Sequence, residues 1–194
     1  MLKRVKPVRS YHGIAFSTTD TNRKYLAKDF SHRCAYCDDL ENISRRRFEV
    51  EHFAPKSKFP HLEFDYDNLL YACPWCNRAK WDTWPSDRSN VNVVGDEGFI
   101  DPCDDEYCRH LDRDGSGKII WKTQLGKYMY NTLKLYLKIH EINYNIERLY
   151  EARGRLQVDI NREQVEGKVS TEKKSLLLEL DEKFFSYFNL WMEI

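Results

Sequence analysis

The spacing of apolar and polar positions changes period along this chain, and each change predicts an element. At 48–53, Phe-Glu-Val-Glu-His-Phe alternates residue by residue, as a half-buried strand does. Val50 and His52 then share one face, and Glu49, Glu51 and Phe53 the other. Ala54-Pro55 ends the strand, because proline has no N–H for a ladder. Upstream, Thr19-Asp20-Thr21-Asn22 offers helix caps ahead of RKYLAKDF. Residues 62–70 read as a loop whose Asp and Asn side chains bond neighbouring backbone. NRAKWDTW (77–84) reads as a short helix stopped by Pro85. Residues 90–99 are a loop giving way to a short strand, and RHLDRDGSGKIIW (109–121) is a hairpin with a Gly-rich turn. From Thr123 the period becomes helical. Leu125, Tyr128, Met129, Leu133 and Tyr136 form one stripe and Ile142, Ile146 and Leu149 another. Gly167, Ser170 and Glu172 mark a break, after which Leu177, Leu180, Phe184, Phe188 and Trp191 line one face. Such stripes are usually core, but the last is aromatic enough to serve a partner or a dimer.

Cysteines change this picture most. Cys34-Ala-Tyr-Cys37 and Cys73-Pro-Trp-Cys76 are two Cys-x-x-Cys knuckles, which together supply the tetrahedral S4 set that suits Zn2+. The 35 residues between them exceed a zinc-ribbon gap, so an insert lies between the knuckles. A thioredoxin-like motif wants one such pair in a βαβ setting, and disulfides want a secretory context. Four protein ligands leave no open position, so the metal is expected to hold the fold. Cys103, Cys108 and His110 lack a fourth ligand and read as ordinary thiols beside a histidine. Asp112-Arg-Asp114-Gly-Ser116-Gly117 imitates a calcium loop, but Thr123 stands where a bidentate Glu is needed.

Composition adds less. Lys+Arg and Asp+Glu are both 31, so net charge points to no partner. Residues 1–60 carry 13 basic and 7 acidic side chains, whereas 61–110 carry 4 and 11. The basic excess leads into the strand that holds His52. Lys3, Arg4, Lys6 and Arg9 form a basic arm, read as DNA-tracking or as a frayed, solvated end. Arg45, Arg46 and Arg47 are phosphate candidates or a solvated turn. Trp75, Trp81 and Trp84 cluster around the second knuckle, as supplementary core rather than base-stacking rings. No apolar run reaches membrane length and no targeting segment is visible, which predicts a cytoplasmic protein without a membrane partner.

Between the knuckles, FEVEHFAPK and DYDNLL, followed by Cys76-Asn77-Arg-Ala-Lys80, resemble the HNH endonucleases. That family's ββα-metal motif pairs an acid-His strand with a central Asn and a ligating His or Asn on the next helix. The resemblance covers about a quarter of the chain and makes it an HNN variant. It implies that His52 is the general base, that Glu51 and Asn77 ligate a catalytic Mg2+ or Mn2+, and that Asn68 fixes the loop and the base. Asp65 or Asp67 stand next in line as ligands should Asn77 only cap its helix. The products implied are a 5′-phosphate and a 3′-hydroxyl.

Elementary chemistry points the same way. Phosphodiester hydrolysis needs a base for water, a cation for the leaving oxygen, and positive charge around the phosphate. Histidine is mostly neutral near pH 7. A carboxylate with an amide oxygen is a hard, incomplete set that suits Mg2+ or Mn2+. Lys56 and Lys80 are further phosphate candidates, or solvated surface lysines. The expected fold is therefore α+β, with a zinc-stapled ββα-metal core and a mostly helical C-terminal subdomain, divided as 1–100 and 101–194. DNA is the expected substrate, with RNA left open. A zinc-dependent nucleic-acid-binding module without catalysis is the rival. A nuclease subunit licensed by a partner ATPase is another reading, since small relatives of this kind resemble the nuclease halves of two-gene antiphage systems. The chain has no phosphate-binding glycine loop of its own.

Overall fold

Helix α1 (Thr19–Asp29) starts at the first of the predicted capping residues, so Asn22 lies inside it, fully buried, while Leu26 and Ala27 complete its inward face and Phe30 is buried just past its end. In this computed structural model the described residues are 2–3, 5–16, 19–167 and 170–194, so Arg4 of the basic arm lies outside them. After α1 the first knuckle (34–37) docks on the sheet through Ala35 N–H, which donates to Tyr71 O at 2.7 Å. A short helix α2 (Glu41–Ser44) then leads to strand β1 (Glu49–His52).

Strand β1 pairs antiparallel with β2 (Leu69–Ala72), setting Glu51 opposite Leu70 and His52 opposite Leu69. The span 62–70, expected as loop throughout, is shorter as loop than expected. Two 3-10 turns, at Pro60–Leu62 and Tyr66–Asn68, give way to β2 at Leu69. Every residue of β2 is buried, so it lacks the alternation that marks a one-sided strand. Helix α3 (Pro74–Lys80) follows at once, with Cys73 as N-cap and proline at its first position. Helix α1 packs on both strands and α3 on β1. The ββα unit expected from the family resemblance is therefore present, with one knuckle before it and the other at the junction of β2 and α3.

The first of two units, Met1–Leu137, contains more than this core. Strands β3 (Val93–Val94) and β4 (Glu97–Gly98) form a small ladder. Helix α4 (Tyr107–His110) precedes the hairpin of β5 (Leu111–Arg113) and β6 (Ile119–Trp121). Its turn is closed by Asp114 Oδ1, which accepts from Ser116 N–H and Lys118 N–H at 2.9 and 3.0 Å, the work of an Asx turn rather than of a calcium loop. Helix α5 (Gln124–Thr132) is capped by Thr123 and packs on β4 and β6. The hairpin and α5 thus group with the core: Tyr107 OH donates to Tyr36 O inside the first knuckle at 2.9 Å. The division by packing falls after Leu137, whereas the sequence reading placed it at 100. The basic arm is held down rather than frayed. Lys3 is buried against the Tyr107 ring, and Arg9 pairs with Asp101 at 2.9 Å.

The second unit, Lys138–Ile194, contains α6 (Lys138–Val165) and α7 (Thr171–Met192). Gly167 takes φ +70°, and Ser170 caps α7 by accepting from Lys173 N–H at 3.3 Å. Arg153 pairs with Asp181 at 2.5 Å, and Lys173 with Glu163, across the two helices. The predicted stripe of Leu177, Leu180, Phe184, Phe188 and Trp191 is only half-buried, and α7 has no fully buried residue. No helix among the described residues is long and apolar enough to cross a membrane.

Candidate active site

The four knuckle cysteines converge, their sulfurs all within 4.8 Å of one another and all buried. Cys37 Sγ and Cys73 Sγ are 3.8 Å apart, too far for a disulfide. Burial works against charge on all four. Cys37 and Cys76 are pushed well up and Cys73 to about 11, while hydrogen bonds from the other three thiols hold Cys34 well down. A dry, all-sulfur, four-fold donor set is what a tetrahedral soft-to-borderline cation takes, and it leaves no place for substrate. Cys103 and Cys108 belong to no such cluster among the described residues.

His52 closes β1. Its Nε2 lies 2.9 Å from Glu63 O, and a carbonyl can only accept. In the neutral ring Nε2 therefore carries the proton and Nδ1 carries the lone pair. Burial pushes the His52 pKa below its ordinary 6.5; the Glu63 carbonyl opposes this, and the Lys56 and Lys80 charges reinforce it. Asn68 is buried and clamps the chain that leaves His52. Its Oδ1 accepts from Ala54 N–H at 2.8 Å, its Nδ2 donates to Ala54 O at 2.9 Å, and its own carbonyl accepts from Phe53 N–H at 2.8 Å.

Two polar rungs join β1 to α3, and they differ from those expected. Glu49 and Glu51 do share a face, but Asn77 Nδ2 donates to Glu49 Oε2 at 2.7 Å. Glu51 instead pairs with Lys80 at 2.8 Å and accepts from Tyr36 OH at 3.2 Å. Burial pushes the Glu51 carboxyl up, and the Lys80 ammonium pulls it back. Lys80, expected on phosphate, is 0% exposed and also donates to His52 O at 3.1 Å. Its reach is spent inside the fold, on the strand that carries the histidine. Asp67, the reserve ligand, is held by Gly13 N–H and His12, and Asp65 caps the 3-10 turn.

Glu49, Glu51, His52 and Asn77 line one open cleft of about 860 Å3, together with Arg23, Arg47, Lys56, Arg78, Trp81, Asp20 and Asp82. Of the phosphate candidates, Lys56 and Arg47 are therefore at the cleft, paired with Glu63 and Asp20 at 2.9 Å each. Arg45 and Arg46 are exposed but do not line it, and Arg46 lies over the Trp75 ring at 5.4 Å. The tryptophans separate. Trp84 is buried against Phe53 and Phe59, and Trp75 is packed at the core margin. Trp81, expected in the core with them, is 74% exposed. It takes φ +50° and ψ −125°, a glycine-like conformation that turns the chain outward at the end of α3. The sequence reading gave Glu49 and Arg78 no role at the cleft and took Trp81 for core; only the i, i+2 spacing of Glu49 and Glu51 signalled that the first could also reach the site.

The family model described as HNH endonuclease matches residues 34–83. Septu protein PtuB of Bacillus thuringiensis is 26% identical over 143 residues, covering 68% of this chain and 51% of that protein. Septu protein PtuA of Bacillus mycoides (strain KBAB4) is 25% identical over 133 residues, 58% of this chain and 18% of that protein. The chain thus spans about half, and less than a fifth, of these two relatives. No solved structure matches it significantly. Residues 34–83, which hold both knuckles and the ββα unit, are the part of the chain that is similar to the HNH endonuclease family.

Proposed function

We propose that the protein is a cytoplasmic, metal-dependent endonuclease that hydrolyses DNA phosphodiester bonds as part of a bacterial defence or mobile-element system. The observation that carries this reading is His52: a neutral ring with its tautomer fixed and Nδ1 left as the base, in a cleft that also holds Glu49, Glu51 and Asn77. Nδ1 takes the proton of a water whose oxygen attacks phosphorus. The P–O3′ bond breaks, and the leaving 3′-oxygen takes a proton from solvent to become a hydroxyl while phosphate stays on the 5′ side. Asn68 is a positioning residue, holding 53–54 and hence the ring that precedes them. Arg47, Lys56 and Arg78 offer positive charge to the phosphate.

A bound Mg2+ or Mn2+ supplies charge for the leaving oxygen. Asn77 and Glu49 are the proposed ligands, a choice supported by the hydrogen bond between their side chains, and Glu51 joins them only if Lys80 releases it. The four cysteines are proposed as a structural Zn2+ site. The likeness to two Septu proteins supports the defence assignment. With it goes a partner at the C-terminal helices, either a second copy or an ATPase that licenses cutting. A plasmid-nicking assay with Mg2+ or Mn2+ and an EDTA control tests the reading. Metal-dependent nicks are expected, and a protein that binds DNA without cutting it under any divalent ion is the non-catalytic binding module instead.

A further inference from the structure

We propose that Trp81 is a stacking platform for an unpaired nucleobase, so that the cleft takes DNA with a single-stranded or everted nucleotide beside the phosphate that is cut. This rests on the nuclease reading of the same cleft and names its substrate class. Three observations carry it.

The first is exposure: Trp81 is 74% exposed, while Trp84, three residues on, is 6% exposed. A large ring left in water contributes nothing to the core that the neighbouring rings build. The second is backbone: φ +50° and ψ −125° is a conformation that glycine adopts freely and a bulky side chain at a cost. Folding alone would favour glycine at this turn. The strained geometry is held from behind, since Trp81 N–H donates to Asn77 O and Thr83 N–H to Lys80 O, both at 3.0 Å. Asn77 lies four residues before the ring, about 6 Å along the helix. The backbone that carries the ring is thus held about one nucleotide step from a residue proposed to face the phosphate.

The third is charge. The cleft lining carries as many carboxylates as lysine and arginine side chains. Backbone attraction, which leads the binding of duplex DNA, is not concentrated there. Base–aromatic stacking needs no net charge, but it needs an open base face, which an intact duplex keeps inside its own stack.

The test uses the full chain with no Mg2+ or Mn2+ added and its proposed Zn2+ left in place, so that binding is read without cutting. Fluorescence anisotropy follows a fluorescein-labelled oligothymidine and a duplex of equal length, for the wild type, Trp81→Ala, Trp81→Phe and Trp81→Gly. Trp81→Ala and Trp81→Gly should weaken oligothymidine binding about tenfold, and Trp81→Phe should keep most of it. Duplex binding should be unchanged in all three. Trp81→Gly, relieved of strain, should melt at or above the wild-type temperature, which separates lost stacking from lost folding. Oligothymidine binding by Trp81→Gly at wild-type strength overturns the proposal, as does an equal loss on both DNAs. If that variant also cuts plasmid normally with Mn2+, the nuclease reading survives alone. A wild type that binds neither DNA overturns both.

Discussion

At the scale of single residues, the two rungs between β1 and α3 separate chemistry from support. Glu49 faces Asn77, and Glu51 neutralises a lysine with no access to water. Glu49→Gln and Asn77→Ala should raise the Mn2+ concentration needed for cleavage while leaving the melting temperature nearly unchanged. Glu51→Gln should instead cost about 3–5 kcal/mol of stability, because it strands the buried Lys80 charge. Metal titrations and thermal melts of the three variants separate these outcomes; a raised metal requirement in a stable Glu51→Gln protein would return the ligand role to Glu51. The sequence showed both acids on one face of a strand. It could not show which acid meets which helix residue, since that depends on the offset between β1 and α3 rather than on either pattern. The burial of Lys80 was hidden for the same reason: a lysine after a knuckle reads as surface until a carboxylate is placed against it.

At the scale of elements, the knuckles join segments that are weak alone. Strands of four residues, such as β1 and β2, and a seven-residue helix have little independent stability. Cys73 is at once the N-cap of α3 and part of the sulfur cluster, so one residue ties helix, sheet and cluster together. The protein should purify with about one Zn2+ per chain, as a closed four-ligand site implies. Cys73→Ser should lose that metal and unfold far more readily, because metal binding and folding are coupled. Cys103→Ser and Cys108→Ser should keep the metal content, as elemental analysis of each purified variant will show. These elements were partly legible. Alternation found β1 and spacing found the cysteine site, but β2 is buried on both faces and shows no period of two to find.

At the scale of the whole molecule, the chain carries apolar surface that its own folding does not use. Helix α7 leaves Leu178 at 66% and Phe185 at 58% exposed, off the stripe that the sequence pattern picked out. The stripe itself was legible, while its incomplete burial was not, because periodicity gives the inward face of a helix and not how much of it a neighbour covers. Replacing Leu178 and Phe185 together with Glu should leave stability within about 0.5 kcal/mol and abolish self-association in sedimentation. A wild type that is monomeric at all concentrations would count against a second copy as the partner. None of this alters the cleft, on which the functional account stands.

The most direct measurement is the pH dependence of DNA cleavage, with Mn2+ present, for the wild type and His52→Ala. A base must be neutral to act, and burial holds the His52 pKa below 6.5, so activity should persist at pH 6.5 and fall away only at lower pH. His52→Ala should show no cleavage at any pH while keeping its metal, its melting temperature and its affinity for DNA. Cleavage near the wild-type rate by a well-folded His52→Ala protein would contradict the account at its centre.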